Sequence, residues 1–311
     1  MILRCSVFLL FFFISAAAQA TKLAEKTPSV NASQLKVVAT IRPVHSLLSS
    51  IMQGVTTPVL LLGQTASVHH YSLLPSQRST LNHADLVFWV GAALEGFLPR
   101  VLNSLPRRVK VIELINVKNI TSLQPRAYND EHVGHGHHDE NIDPHIWLSV
   151  DNALAMAQSM TEILSKADPA NKSIYQSNLK NLIKRLQQTK NKTLKQFKTT
   201  DFVYLVYHDA FQYFETMVKI KPLSAISNDE ENAPGIRHLT QVNKLISKNK
   251  INCLIYNTYT LPAIVNTLID QNITKIHIDP LAQKLQPGPE LYFNLLDSIS
   301  SGYQQCRQAS K

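Results

Sequence analysis

Short apolar runs alternate with amphipathic segments through the first half of the chain. β-Branched apolar runs predict strands at 35–41, 59–62, 86–90 and 109–114. Helical spacing of the apolar positions predicts helices at 45–53, 76–84 and 94–105 between them. Because strand and helix alternate with short connections, we expect parallel strand pairing and an α/β lobe.

The second half repeats this alternation. Strands are predicted at 202–207, 223–227, 253–256 and 275–278, with helices at 210–218, 236–248, 262–270 and 290–306. The pattern therefore predicts an α/β fold of two lobes, each with a mainly parallel sheet flanked by helices.

A long helical pattern separates the two halves. An amphipathic helix at 151–166 is followed by apolar residues at near-helical spacing from Ile174 to Phe197, with no Gly or Pro between them. A single helix of this extent, about 28 residues, would be roughly 40 Å long. We predict an N-terminal lobe (21–166), one long rigid linking helix (167–198) and a C-terminal lobe (199–311).

The first twenty residues have the pattern of a secretory signal peptide. Arg4 precedes an apolar run at about 7–18, and Ala18-Gln19-Ala20 provides a small-residue cleavage site. The run is shorter than the roughly 18–20 residues of a membrane-spanning helix, which argues against a membrane anchor. We expect cleavage near Ala20 and a mature protein outside the cytoplasm.

Charge and cysteine content indicate whether to expect a nucleic-acid partner and a disulfide. The net charge is +9, and basic residues concentrate in 172–198. That run has no interleaved aromatic residues and no nucleic-acid motif, so we expect a solvated helix face and no nucleic-acid partner. Removal of Cys5 with the signal peptide leaves Cys253 and Cys306, which predict one disulfide in an exported protein. The alternative, a pair of metal ligands, lacks a neighbouring Cys or His at ligand spacing.

The most distinctive chemistry lies at 128–149, where histidines alternate with acidic residues. Its first part, 129–141, is polar and aperiodic and predicts a His/Asp-rich loop; its histidines are candidate auxiliary metal ligands: His132, His135, His137 and His138. His145 differs, because it follows Pro144 and precedes bulky apolar residues typical of ordered structure. Imidazole is well matched to zinc, so we predict that the loop leads into a fixed histidine ligand.

Ligands of parallel α/β sheets bind beyond the carboxyl ends of the strands. His69 follows the second predicted strand, His145 follows the loop after the fourth, and His208 and Asp279 follow strands of the second half. We predict that these four side chains meet between the lobes. Such a His₃ or His₃Asp set would hold tetrahedral Zn²⁺, with water in any open position.

Two assignments stay open in this set. His70 is the alternative to its neighbour His69, and Asp143 and Asp209 are candidates to orient the imidazoles of His145 and His208.

Six motifs carry a resemblance to a known family. They are ATIRPVHSL, ASVHHYSLLPSQ, HADLVFWVG, HIWLS, YHDAFQYFE and IDPL, spread over about 35–306. In these motifs the chain resembles the periplasmic zinc-binding proteins of high-affinity zinc ABC importers (ZnuA-type, within the zinc/manganese solute-binding family). The resemblance implies two lobes bridged by one long helix, with a zinc ion held between them and delivered to an inner-membrane ABC permease.

The resemblance also assigns residues. His69, His145 and His208 correspond to the three family histidines, and Asp279 to the aspartate after the C-lobe strand. Cys253 and Cys306 lie where zinc members carry their disulfide. The resemblance implies a monomeric binding protein for which zinc is the transported ligand, and no enzyme activity.

The chain departs from the family pattern at two places. Val68 stands where certain zinc members have an acidic residue, so the fourth zinc donor is either Asp279 or water. The His/Asp-rich loop is shorter than in many relatives, so we expect it to be ancillary.

Three other functions fit part of the pattern. An exported zinc-dependent hydrolase could use an open His₃ site, but HExxH and an obvious glutamate base are absent. Manganese-binding relatives have a carboxylate where this chain has His208, and three nitrogen donors favour zinc. An adhesin of the same fold stays open.

Overall fold

The computed structural model describes residues 34–63, 68, 71–126, 128, 142–198, 202–227, 234–258, 261–269 and 272–310. The predicted signal peptide, His69, His70 and the loop 129–141 lie outside the described residues. Residues 35–311 form one compact unit.

The first half folds as the alternating pattern predicts. Its strands are β1 (Val37–Ala39), β2 (Val59–Leu60), β3 (Leu86–Trp89) and β4 (Lys110–Glu113), and its helices are α1 (Arg42–Ile51), α2 (Pro75–Asn82) and α3 (Pro99–Leu102). The strands pair in parallel in the order β2-β1-β3-β4. β1 and β3 are buried at every position, whereas no residue of the edge strand β4 is buried, which explains its polar ends.

Two helices in the middle of the chain join the halves. α4 (Val150–Ala167) is followed by a 3-10 turn (Pro169–Asn171) and then by α5 (Lys172–Gln196). With 25 residues α5 is about 38 Å long. It packs against α1 and α4 of the first half and against helices of the second half. The predicted long linking helix is confirmed.

The second half has the same topology as the first. Its strands are β5 (Leu205–His208), β6 (Ser224–Ser227), β7 (Cys253–Tyr256) and β8 (Thr274–His277), and its helices are α6 (Gln212–Val218), α7 (Ile236–Asn249), α8 (Ala263–Leu268) and α9 (Leu291–Ala309). The strands are parallel in the order β6-β5-β7-β8, and α6 and α9 contact α5. The predicted α/β fold with two parallel sheets is confirmed.

One predicted helix is much shorter than expected. The pattern predicts a helix over 94–105, but α3 contains only Pro99–Leu102. Pro99 has no N–H for a helical hydrogen bond, so the helix begins there. Before it, the Glu95 carboxylate accepts the N–H groups of Val90 and Gly91 at 2.8 and 3.2 Å, which holds this stretch in a turn.

The basic residues of α5 are partly paired with acids on neighbouring helices. Arg185 forms two hydrogen bonds to Glu290 at 2.8 and 2.7 Å, Lys190 binds Asp151, and Lys192 binds Asp297. These exposed ion pairs join α5 to α4 and to α9. Among the described residues no helix has the length and apolar character needed to cross a bilayer.

Candidate metal centre

His145 is held in a buried turn directly before α4. It precedes a 3-10 turn (Ile146–Leu148), and Ser149 then caps α4 by accepting the N–H of Asn152 at 3.2 Å. His145 is almost fully buried, with 4% of its side chain exposed. The apolar residues of the turn are buried in the main core, so the backbone of His145 is fixed on its C-terminal side.

Asp143 orients the His145 ring. One carboxylate oxygen of Asp143 accepts the backbone N–H of His145 at 2.9 Å and lies 2.8 Å from Nδ1 of the ring. With a carboxylate at that distance Nδ1 carries the proton, so the lone pair available for a metal is on Nε2. The sequence-based prediction that Asp143 orients His145 is confirmed.

His208 is the last residue of β5, at the carboxyl end of a central strand. Its backbone is in register with Ser227 of β6. The His208 ring centroid lies 5.6 Å from that of His145, at an interplanar angle of 62°. With Zn–N bonds of about 2.0–2.1 Å, two imidazoles on one tetrahedral ion have centroids about 5 Å apart. The structure therefore brings two predicted ligands, one from each half, to a separation that a shared zinc ion fits.

Trp147 connects the His145 turn to the end of β8. Its ring is fully buried and lies 5.3 Å from the His145 ring. The indole N–H donates to the carbonyl oxygen of Pro280 at 2.8 Å, and the Tyr292 hydroxyl donates to the carbonyl oxygen of Trp147 at 2.6 Å. Pro280, which follows Asp279, is thus hydrogen-bonded to Trp147 in the turn that follows His145.

The Asp279 carboxylate caps the turn that follows β8. Its oxygens accept the backbone N–H of Leu281, at 2.9 Å, and of Gln283. Within the part of the chain that the structure describes, no three or more His, Cys, Asp or Glu side chains are grouped to hold a metal ion. Asp279 therefore does not form such a group with His145 and His208, and its role as fourth donor stays a prediction.

Several predicted ligands lie outside the described residues: His69 with its alternative His70, and His132, His135, His137 and His138. Their described neighbours are packed against the rest of the molecule. Val68 is buried in the same core as Ile146 and Trp147, and Tyr71 packs edge-to-face on Phe97. Tyr128, just before the loop, donates its hydroxyl hydrogen to Asp209 at 2.8 Å.

An ion cluster that the sequence patterns did not predict lies beside His208. The guanidinium of Arg126 donates to the carboxylates of both Asp209 and Glu215, and the hydroxyls of Tyr204 and Tyr303 donate to Glu215 at 2.7 and 2.6 Å. One signal in the sequence points to it: Glu215 lies on the buried face of α6, where a carboxylate requires a partner.

Burial dominates the electrostatics of this cluster. It raises the pKa of the Glu215 carboxyl above its usual range, and the Arg126 guanidinium opposes that rise. Burial next to Glu215 also raises the pKa of the Tyr204 and Tyr303 hydroxyls, so both stay protonated donors.

The first half contains a buried carboxyl at the corresponding edge of its sheet. Glu95 is fully buried just beyond the carboxyl end of β3, where one of its carboxylate oxygens accepts the backbone N–H groups of Val90 and Gly91. Burial raises the pKa of Glu95 to about 7.

Cys253 of β7 and Cys306 of α9 form a buried disulfide. The predicted disulfide is confirmed, and the alternative that these two cysteines are metal ligands is wrong.

Comparisons with known proteins agree with this architecture. Residues 37–306 match the family described as ZnuA, zinc-uptake complex component A, periplasmic. The high-affinity zinc uptake system protein ZnuA of Brucella abortus is 29% identical over 303 residues, which cover 87% of this chain and 91% of the relative.

Two solved structures illustrate the likeness in fold. A crystal structure of ZnuA superposes with a TM-score of 0.74 at 19% identity and covers 89% of this chain and 99% of its own. The SBP FpvC of Pseudomonas aeruginosa, in complex with Mn²⁺, has a TM-score of 0.73 at 18% identity and covers 88% of this chain and 99% of its own. At these identities the likeness shows the fold alone, and the fold occurs with more than one metal.

Proposed function

The chain belongs to the ZnuA family of periplasmic zinc-uptake components, and on that basis we propose that it captures zinc outside the cytoplasm and delivers it to an ABC-type membrane permease. The family is one of solute-binding proteins, so the chain is a binding protein and not an enzyme. Zinc is its transported ligand, not a cofactor of a reaction.

The approach of two imidazoles from opposite halves carries this proposal. His145 is buried and oriented by Asp143, and the His208 ring lies 5.6 Å from it. Two nitrogen donors at this separation suit zinc, while manganese, a harder ion, prefers oxygen. The chemistry of the donors therefore favours zinc where the fold does not distinguish the metals.

We assign His69, His145 and His208 as the three zinc ligands, with Asp279 or water as the fourth. The histidines of 129–141 are assigned an ancillary role in collecting zinc. The proposed organisation is an N-terminal lobe (21–166), a linking helix (167–198) and a C-terminal lobe (199–311).

The export of the protein and its assembly belong to the same proposal. We assign 1–20 as a signal peptide cleaved near Ala20, and the mature protein acts as a periplasmic monomer that docks on an inner-membrane permease. Family membership and the signal-like pattern of 1–20 support this assignment.

The deciding experiment measures zinc affinity of the purified mature protein by competition with a chelator. His208→Ala removes one of three nitrogen donors, so we expect zinc affinity to fall by at least about a hundred-fold, on the scale of the free energy of a metal–ligand bond. His83→Ala is the matched control, because His83 is an exposed histidine at the end of α2.

We expect the control variant to bind zinc as the unchanged protein does. Equal zinc affinity of His208→Ala and His83→Ala would reject the proposed centre, and failure of the unchanged protein to bind zinc would reject the function.

A further inference from the structure

A non-helical segment that precedes the His/Asp-rich loop runs between the two halves. Its first residue, Thr121, contacts α4: the N–H and the carbonyl group of Thr121 both bond to the Asn152 side chain, at 2.8 and 2.9 Å. On the other side, the Tyr213 hydroxyl of α6 accepts the N–H of Leu123 at 3.0 Å. We call residues 121–126 together with Tyr128 the crossing segment.

The crossing segment also touches the residue that orients His145. The N–H of Asp143 donates to the carbonyl oxygen of Leu123 at 2.8 Å, and the Tyr213 hydroxyl donates to the carbonyl oxygen of Asp143 at 2.8 Å. Asp143, Leu123 and Tyr213 therefore form one hydrogen-bonded group.

The C-terminal end of the crossing segment binds Asp209, the residue that follows His208. Arg126 donates from Nε to one oxygen of Asp209 at 2.8 Å and from a terminal nitrogen to the other oxygen, and Tyr128 adds its hydroxyl at 2.8 Å. Both oxygens of Asp209 are thereby bonded. The planar guanidinium fixes the direction of a carboxylate as well as its charge, since it holds both oxygens at once.

Arg126 is in turn anchored in the core of the second half. Its guanidinium also donates to Glu215, which is fully buried and accepts hydrogen bonds from Tyr204 and Tyr303. The side chain of Arg126 is 20% exposed and that of Asp209 16%. A largely buried cation with two carboxylate partners has little freedom to reorient, so the position of Asp209 is set by the packing of α6 and α9.

We propose that Arg126 is a positioning residue for zinc binding: it holds Asp209 turned away from the metal and thereby keeps the adjacent His208 ring directed toward His145. The turn after His208 is closed by the N–H of Ala210, which donates to the carbonyl oxygen of His208 at 2.9 Å. Rotation of Asp209 would twist this turn and move the last residue of β5 with it.

The hydrogen bonds from Arg126 also keep the Asp209 carboxylate from acting as a metal ligand. Asp209 lies one residue from a candidate ligand, and a released carboxylate there is an oxygen donor that competes with imidazole for the ion. The inference rests on the proposed zinc function, because it concerns how a ligand of that centre is oriented.

The test compares zinc affinity and the Co²⁺ absorption spectrum of the substituted proteins. Arg126→Gln removes the positive charge and the paired nitrogens that hold both oxygens of Asp209. We expect zinc affinity to fall by about ten-fold or more, the effect typical of losing an outer partner of a metal ligand. The Co²⁺ spectrum should change, because a displaced imidazole or an added carboxylate alters the donor set. Arg126→Lys keeps the positive charge but cannot hold both oxygens of Asp209 with a planar group, so it should recover only part of the zinc affinity.

Tyr128→Phe is a milder variant that deletes a single donor to Asp209. We expect zinc affinity to fall by only about three-fold, because the Arg126 guanidinium still holds both oxygens of Asp209 in this variant. This variant decides the question if Arg126→Gln does not fold.

Arg185→Gln is the matched control, since Arg185 also binds a carboxylate with two nitrogens but does so on the exposed face of α5. It should leave zinc affinity and the Co²⁺ spectrum unchanged. Folded Arg126→Gln or Tyr128→Phe protein with unchanged affinity and an unchanged Co²⁺ spectrum would overturn the inference. If the unchanged protein fails to bind zinc, or binds it only as tightly as His208→Ala, the proposed function itself fails.

Discussion

The two halves have the same sheet order, yet each compensates one buried carboxyl group in a different way. Glu95 in the first half and Glu215 in the second are both fully buried. Glu95 is held by two backbone N–H groups, and burial raises its pKa to about 7. Glu215 is held by two tyrosine hydroxyls and by the guanidinium of Arg126.

Two sheets of the same topology therefore use a buried carboxyl group differently, one for local structure and one for a contact with a distant segment of the chain. The two N–H groups that bind Glu95 lie four and five residues before it along the chain, so its carboxyl group fixes a local turn. The cation that binds Glu215 comes from the crossing segment, 89 residues away along the chain, and also holds Asp209. The carboxyl group of the second half is therefore coupled to the edge of the sheet that carries His208.

The largest effect on stability is expected from Glu215→Gln. This change leaves part of the Arg126 charge uncompensated in a buried site, so the free energy of unfolding should fall by about 3–5 kcal/mol. Urea denaturation of the zinc-free protein measures it. Glu290→Gln, which breaks an exposed ion pair, should cost less than about 1 kcal/mol. Equal effects of the two changes would show that the cluster is not a buried ion network.

Glu95→Gln should raise the free energy of unfolding, whereas Glu215→Gln lowers it, and the size of the gain should depend on pH. The folded pKa of Glu95, about 7, is above its ordinary value of 4.5, so its favourable contribution is present below about pH 4.5 and is lost as the pH rises through 7. A pKa difference of this size corresponds to about 3 kcal/mol. Relative to the unchanged protein, Glu95→Gln should therefore gain stability between pH 5 and pH 9.

Urea denaturation of both proteins at pH 5, 7 and 9 checks this prediction. A constant difference in the free energy of unfolding across the three pH values would contradict it. Thr161→Val, which alters a buried hydroxyl within α4 and carries no titrating group, is a control whose effect should not depend on pH.

A third test compares the supports of the two candidate ligands. Asp143→Asn weakens the hydrogen bond that orients His145, so zinc affinity should fall by about 10–100-fold, measured by competition titration. Asp151→Asn, which breaks the exposed pair with Lys190, should leave zinc affinity unchanged. If Asp143→Asn also binds zinc normally, the orientation of His145 does not depend on this carboxylate.

The smallest effect is expected where α9 touches the end of β8. A Cβ at Gly302 would lie 2.5 Å from the end of the Ile278 side chain, whereas at Gly96 in the first half the nearest atom is 3.7 Å away. Since that side-chain end can shift, Gly302→Ala should cost about 1 kcal/mol, at the low end for overpacking. Gly96→Ala should be close to neutral in thermal denaturation. A neutral Gly302→Ala would mean that α9 and β8 are packed more loosely than the structure indicates.

Local patterns along the sequence were sufficient to predict most strands and helices. The fully buried strands read as β-branched runs, and α5 as a long series without Gly or Pro, because each reflects a short-range preference. The helix predicted over 94–105 failed where two local effects met, Pro99 and the carboxylate of Glu95. Asp143 could be identified because it lies two residues from the ring that it orients.

Residue type and spacing alone were enough to specify the two-halved α/β alternation, the long linking helix, the disulfide partners and the histidines worth testing. The folded chain was needed to show that the rings of His145 and His208 lie side by side, and that Arg126 binds Asp209 and Glu215. These partners are separated by 63 to 89 residues, and a side chain's distant neighbour leaves no mark on its local sequence pattern. Burial of Glu215 indicates that a cation is needed, but the path of the chain selects which one.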